Sequence, residues 1–308
     1  MRLPESSHAD WTAAANRVGV SLHVRRALGW AILLGGALVL CQNAWLWMVA
    51  HDPRVVQALL GGLMAAAATA LGTVPMLVSR PLSARMLDTL LGFGAGVMLA
   101  ASAFSLVVPG LAAARAQGLG SWEAGAVVGS GILLGAALLL LMDRWMPHEH
   151  FIKGVEGTQA KALKRTWLFV FAICLHNLPE GLAIGVGFGG TDPMRASALA
   201  TGIAIQDVPE GLVVALALRG VGHGRWMAVG LGAASGLVEP LGAVLGAVVV
   251  GTSAVLLPWG LAFAAGAMLF VISHEVIPES HRKGHEHFAT AGLVVGFVLM
   301  MVLDTALG

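Results

Sequence analysis

Apolar residues gather in nine long runs separated by short polar stretches: 29–49, 54–78, 86–108, 121–142, 167–188, 194–218, 226–250, 257–279 and 287–307. Each run has about the 20 residues that a helix needs to cross the hydrocarbon of a bilayer. The runs are continuous, whereas barrel strands would be short and alternating. The pattern therefore predicts an all-α polytopic membrane protein with nine transmembrane helices. Run 1 follows 28 largely polar, Arg-containing residues. It starts too late and runs too long for a signal-peptide core. The expected organisation is a cytoplasmic segment 1–28, an N-terminal transmembrane helix 29–49, and a transport-sized helical domain 54–308. The longest loop, 143–166, and a shorter one, 279–287, both fall on the cytoplasmic side.

Composition removes the alternatives. Of the 308 residues, 57% are hydrophobic and 11% charged, with mean hydropathy +0.82. A soluble domain carries about 25% charged residues. A net charge of +1 offers no basic face for nucleic acid. The two cysteines, Cys41 and Cys174, lie inside apolar runs and imply no disulfide framework. With the N-terminus inside and nine alternating spans, 15 of the 18 Lys and Arg fall on the cytoplasmic side. Only Arg54, Arg115 and Arg195 fall outside. That separation follows the positive-inside rule and leaves the C-terminus periplasmic. Most tryptophans stand at run ends, as an interfacial belt requires. Small residues spaced by four, at Gly92/Gly96, Gly181/Gly185/Gly189 and Gly242/Gly246, predict close helix packing and no chemistry.

The informative residues are ionisable groups inside the runs. Run 5 holds His176-Asn177-Leu178-Pro179-Glu180-Gly181, and run 6 holds Gln206-Asp207-Val208-Pro209-Glu210-Gly211. Run 7 carries Glu239-Pro240, and run 8 carries His274-Glu275-Val276-Ile277-Pro278-Glu279. At about 1.5 Å rise per residue, His176 lies roughly 14 Å deep, and Asp207 and Glu239 roughly 20 Å from their starting faces. All belong to the middle of a core about 30 Å thick. A mid-membrane acid costs about 2.5–3.5 kcal/mol, so four of them cost on the order of 10 kcal/mol. No Lys or Arg occurs between Arg165 and Arg195, Arg195 and Arg219, or Arg225 and Arg282. Protonation, water or a bound cation must relieve the charge. Protonation alone leaves the nearby histidine without a purpose.

Helical spacing puts His176 with Glu180, Asn177 with Glu180, and Asp207 with Glu210 on shared faces. Pro179 and Pro209 each remove a backbone hydrogen bond, so a kink is expected where the polar groups cluster. Two P-E-G motifs at one depth on consecutive antiparallel helices imply a pseudo-twofold axis in the membrane plane, with the site at the midplane. Imidazole mixed with carboxylate and amide oxygen suits a divalent transition metal, and zinc sites use this mixture. Two metals, or one metal with protons, fit these residues equally well.

At these motifs the chain resembles the ZIP (Zrt/Irt-like) family of metal transporters, over residues 54–308. The resemblance implies two inverted three-helix repeats, runs 2–4 and 7–9, around the central pair of runs 5 and 6. It implies uptake of Zn2+, and also of Cd2+, Fe2+ and Mn2+, into the cytoplasm through a binuclear midplane site by alternating access. His176, Glu180, Gln206, Asp207 and Glu210 would surround one metal. Asn177, Asp207 and Glu239 would surround the second, with Glu180 and Glu210 bridging. Met98, twelve residues into run 3, joins them as a soft ligand. One departure is Gln206, where many relatives carry His, which broadens the expected metal preference. The family also implies a homodimer in the bacterial inner membrane, with metal as substrate, no resident cofactor and no catalytic residue.

On the cytoplasmic side, His274 and Glu275 are expected to stage the exit of metal, and Asp143, His148, Glu149 and His150 to collect it. Two other classes were weighed. An intramembrane metalloprotease would need H-E-x-x-H, but the second histidine falls on Pro278. A proton-driven carrier of another solute would explain the acids but not His176, Asn177 and Met98 at one depth.

Overall fold

The structure is a computed structural model that describes residues 52–78, 83–145, 176–220 and 222–307, with scattered positions between 26 and 50. The chain divides into two units, Met1–Pro53 and Arg54–Gly308. In the first, the described residues between 26 and 50 are helical. The second contains eight helical rods: α1 (Pro53–Leu77), α2 (Ala84–Ala116), α3 (Ser121–Arg144), α4 (176–189), α5 (Pro193–Gly220), α6 (Arg225–Gly251), α7 (Leu256–His281) and α8 (Glu286–Leu307). Seven of these, all but the described part of α4, are long and apolar enough to cross a membrane. No strand occurs among the described residues. Residues 167–175 of the expected fifth run, and loop residues 146–166, lie outside the described residues.

Local signals set the rod ends. Ser83 accepts from the Met86 amide at 3.3 Å and caps α2. Asp192 accepts from the Arg195 amide at 3.1 Å and caps α5. Arg54 donates to the carbonyl of Gly189 at 3.2 Å, closing the end of α4. Glycines of positive φ, Gly118, Gly222 and Gly284, turn the chain between α2 and α3, α5 and α6, and α7 and α8. The side chain of Gln117 then ties the α2–α3 turn to the Ala254 carbonyl before α7, at 2.6 Å.

Irregular backbone falls elsewhere than the motif prolines suggest. Pro179 and Pro209, where a kink is expected, lie within continuous helix: α5 is helical through Pro209, and residues 176–189 are helical through Pro179. A single lost hydrogen bond is tolerated when neighbouring helices cover the freed carbonyl. The irregularities occur in the flanking rods. α1 is interrupted by a turn at Val74 before Pro75, and α6 by a turn at Gly236 and Leu237 before Glu239. α2 and α7 contain π-helical stretches, Ala101–Val107 and Ile272–Val276, where Val108 bonds back to Ala103 and Ile277 to Ile272. Each widened turn precedes a proline, Pro109 or Pro278, whose missing N–H suits it to the start of the resumed helix. This is why α2 extends to Ala116 when its apolar run ends at 108. The helix resumes after the π turn through Ala-rich residues of high helix propensity.

Close packing follows the glycines. A Cβ at Gly92 would strike the Ala289 carbonyl, and one at Gly296 the Phe93 carbonyl, so α2 and α8 touch backbone to backbone. Gly266 against Ile132 and Gly135 against Phe263 join α7 and α3 in the same way. Gly181 against Glu239 and Gly242 against Leu178 join α4 and α6. Gly211 against Thr69 and Gly72 against Val208 join α5 and α1. Among the seven rods, α5 is the most buried, and α3 and α8 the least. The last two present outward rows such as Leu133, Leu134, Val294, Val295 and Val298, the apolar surface that lipid would cover.

Candidate metal centre

Glu180, Asp207 and Glu210 each offer an oxygen within 4.8 Å of the others. They reach one point because α4 and α5 each carry the acid one residue after the motif proline. The glycine after each acid lets a flanking rod close on the backbone there: Gly181 receives α6 and Gly211 receives α1. Glu180 and Asp207 are fully buried, and Glu210 is partly buried.

Gln206 bridges the group. Its amide nitrogen donates to Glu180 Oε1 at 2.7 Å and to Asp207 Oδ1. The side of Gln206 away from these acids faces Gly94 of α2, whose Cβ position would lie 3.6 Å from Gln206 Oε1. Met98 follows Gly94 by one helical turn and is buried. Deeper along α6, Glu239 Oε1 accepts from Asn177 Nδ2 at 3.2 Å and from the Thr69 hydroxyl at 3.0 Å.

The remaining oxygens decide what the arrangement can do. Among the described residues, seven buried side-chain nitrogen or oxygen atoms have no hydrogen-bond partner. Five of the seven are Asn177 Oδ1, Glu180 Oε2, Asp207 Oδ2, Glu210 Oε1 and Glu239 Oε2. Leaving a buried acceptor unsatisfied costs about 1–3 kcal/mol, more for a charged one, and native proteins avoid it. Five such atoms on the set of residues singled out by motif spacing form a donor set of hard oxygens suited to a divalent cation.

His176 takes a different partner. Its Nε2 lies 2.8 Å from Glu275 Oε1 in the π-helical stretch of α7. It therefore stands beside the acid trio in sequence but is paired towards α7 in space. The residue preceding Glu275, His274, stacks on Phe270 at 5.0 Å between centroids and lies 3.8 Å from Asp143 Oδ2 of α3. The structure thus assembles Asp143, His274, Glu275 and His176 at the end of the helix bundle where α7 finishes. His148, Glu149 and His150 lie outside the described residues.

Three features escape sequence reasoning. Thr69 reaches Glu239 across 170 positions of chain; its sequence signal is no more than one of two threonines in an alanine-rich run. Ser105, in the π stretch of α2, donates to Asp304 of α8 at 2.7 Å. A cavity of about 290 Å³ is lined by Ser105, Asp192, Arg195 and Leu261 among others. It sits where α2 ends and α7 begins, opposite the His274 end.

The sequence matches the ZIP zinc transporter family over residues 153–304. It is 50% identical over 320 aligned positions to the zinc transporter ZIPB of Bordetella bronchiseptica, covering all of both chains. The chain belongs to the ZIP zinc transporter family. It is also 48% identical to the zinc transporter GufA of Myxococcus xanthus over 81% of this chain and 98% of that one. To the human zinc transporter ZIP11 it is 34% identical over 85% of this chain and 100% of the relative. As a ZIP protein with seven candidate membrane helices among its described residues, it is a multi-pass membrane protein. Its acids at mid-helix are then acids inside the bilayer.

Proposed function

We propose that this ZIP protein carries divalent transition-metal ions, zinc foremost, across the bacterial inner membrane into the cytoplasm. The observation that carries the reading is the set of five buried oxygens without hydrogen-bond partners on Asn177, Glu180, Asp207, Glu210 and Glu239. Buried atoms of this kind are costly, and a cation that is held and released turns that cost into function.

The architecture that supports this reading is an eight-helix core, α1–α3 and α6–α8 as inverted repeats around α4 and α5. The helix seams pair accordingly: α2 with α8 and α7 with α3, α4 with α6 and α5 with α1. Both π stretches fall on the second rod of a repeat. The extra helix 29–49 stands outside the repeats. The N-terminus is cytoplasmic and the C-terminus periplasmic, following the distribution of Lys and Arg. The protein works as a homodimer, with α3 and α8 the rods that leave most apolar surface for lipid or a partner copy.

In this mechanism a hydrated ion enters at the cavity lined by Ser105, Asp192 and Arg195. At the midplane it exchanges water for carboxylate oxygens. One position is held by Glu180, Gln206, Asp207 and Glu210, with His176 at its edge and Met98 as a soft contact. A second is held by Asn177, Asp207 and Glu239, with Glu180 and Glu210 between the two. His176, hydrogen-bonded to Glu275, connects the centre to Asp143 and His274. From there His148 and His150 receive the ion on the cytoplasmic side. The amide of Gln206 is neutral, so Cd2+, Fe2+ and Mn2+ are accepted besides Zn2+. Alternating access exposes the centre to one side at a time.

Purified protein in liposomes tests this. Zinc loading is expected to fall at least about tenfold in the His176→Ala, Glu180→Ala double variant, since removing metal-site residues or their partners costs 10–100-fold in affinity or activity. Loading equal to that of the unaltered protein would overturn the assignment of the centre.

A further inference from the structure

We propose that Thr69 is a positioning residue for metal: its hydroxyl fixes the Glu239 carboxylate so that one oxygen alone faces the ion. The proposal rests on the reading of Asn177, Asp207 and Glu239 as a metal position. Thr69 Oγ1 lies 3.0 Å from Glu239 Oε1 and 3.3 Å from its own helix carbonyl at Ala65. A hydroxyl has one proton, and the nearer acceptor, the carboxylate oxygen, is the favoured partner. Asn177 Nδ2 donates to that same Oε1 at 3.2 Å. Both donors meet one oxygen, while Glu239 Oε2 and Asn177 Oδ1 have no partner. The carboxylate is thereby divided into an oxygen held by protein and an oxygen left for a cation.

The helix seams show why a hydroxyl stands there. Gly181 of the first P-E-G motif closes on the backbone of Glu239, and Gly211 of the second closes on the backbone of Thr69. Thr69 therefore stands to α5 as Glu239 stands to α4. A carboxylate at both places would add another anion beside Glu180, Asp207 and Glu210. The chain instead uses a neutral donor that reaches across to the one flanking carboxylate. Thr69 is itself buried, and a Cβ at Gly236 would crowd its side chain, so its rotamer is confined. Partners that orient metal ligands in this way influence affinity strongly without touching the ion.

The test is zinc binding to the full-length purified chain, by metal analysis and calorimetric titration, on Thr69→Val and Thr69→Ser with Glu239→Ala as reference. Thr69→Val keeps the shape and removes the donor; it is expected to weaken one zinc position about 10–100-fold and leave the other unchanged. Thr69→Ser keeps the donor and is expected to bind within about threefold of the unaltered chain. If Thr69→Val does not yield monodisperse protein, Thr69→Ala, which removes the donor without adding a branched side chain, is expected to show the same selective loss. Tight binding in the donor-free variant, or equal loss in Thr69→Ser, overturns the assignment, because packing alone would then explain the residue. Glu239→Ala binding like the unaltered chain would overturn the metal position itself, and that result is distinguishable because it does not involve Thr69.

Discussion

Glu239 gives one oxygen to Thr69 and Asn177 and keeps the other open, and the same division recurs across the centre. Glu180 and Asp207 each accept from Gln206 through one oxygen and leave the second without a partner. On the proposed function, metal and protons compete for these oxygens, and metal binding releases any protons held there. Zinc affinity is accordingly expected to fall as pH drops from 7 to 5, since each proton bound removes a ligand. The fall should be shallower in Glu239→Gln, which has one carboxylate fewer to protonate. Titration of zinc at several pH values checks this; affinity that is flat or rises on acidification would contradict direct competition.

At the scale of elements, the site depends on how near two rods can come to the P-E-G motifs. Gly181 and Gly211 lie at those points of contact. Gly181→Ala would force α4 and α6 apart at Glu239, and overpacking of this kind costs about 1–3 kcal/mol. It is expected to lower thermal stability in detergent and to reduce zinc flux. Gly125→Ala on α3, where a Cβ meets nothing within 4 Å, is the matched control and should leave both unchanged. Equal behaviour of the two variants would contradict the role of the seam. The π stretches of α2 and α7 have a related consequence. In α7 the widened turn contains His274 and Glu275, and places Glu275 against His176. π turns recur at functional sites because they re-aim side chains that a regular helix would direct elsewhere.

These particulars show where reading the chain succeeds and where it stops. Apolar runs and motif spacing were enough to assemble Glu180, Asp207 and Glu210, because two local motifs at one depth determine their meeting. Asn177 with Glu239, and Asp143 with His274, were foreseen as members of groups but not as direct pairs. Pairings between rods depend on helix rotation and seam geometry, which periodicity in a uniformly apolar helix does not record. The same blindness hid Thr69 and the Ser105–Asp304 bond. The i, i+4 spacing places His176 with Glu180 but does not predict that its Nε2 meets Glu275 on another rod.

For the whole molecule, the question is why so many acids persist in the interior of a chain that has no Lys or Arg in the middle of its apolar runs. On the proposed function, substrate metal is the counter-charge. Zinc or cadmium anomalous diffraction from crystals of the full-length protein grown with that metal tests this most directly. The account predicts an anomalous peak between Glu180, Asp207 and Glu210, with oxygen ligands at about 2.0–2.2 Å for zinc. Peaks confined to histidines at the surface, with these carboxylates joined only to water or backbone, would contradict it.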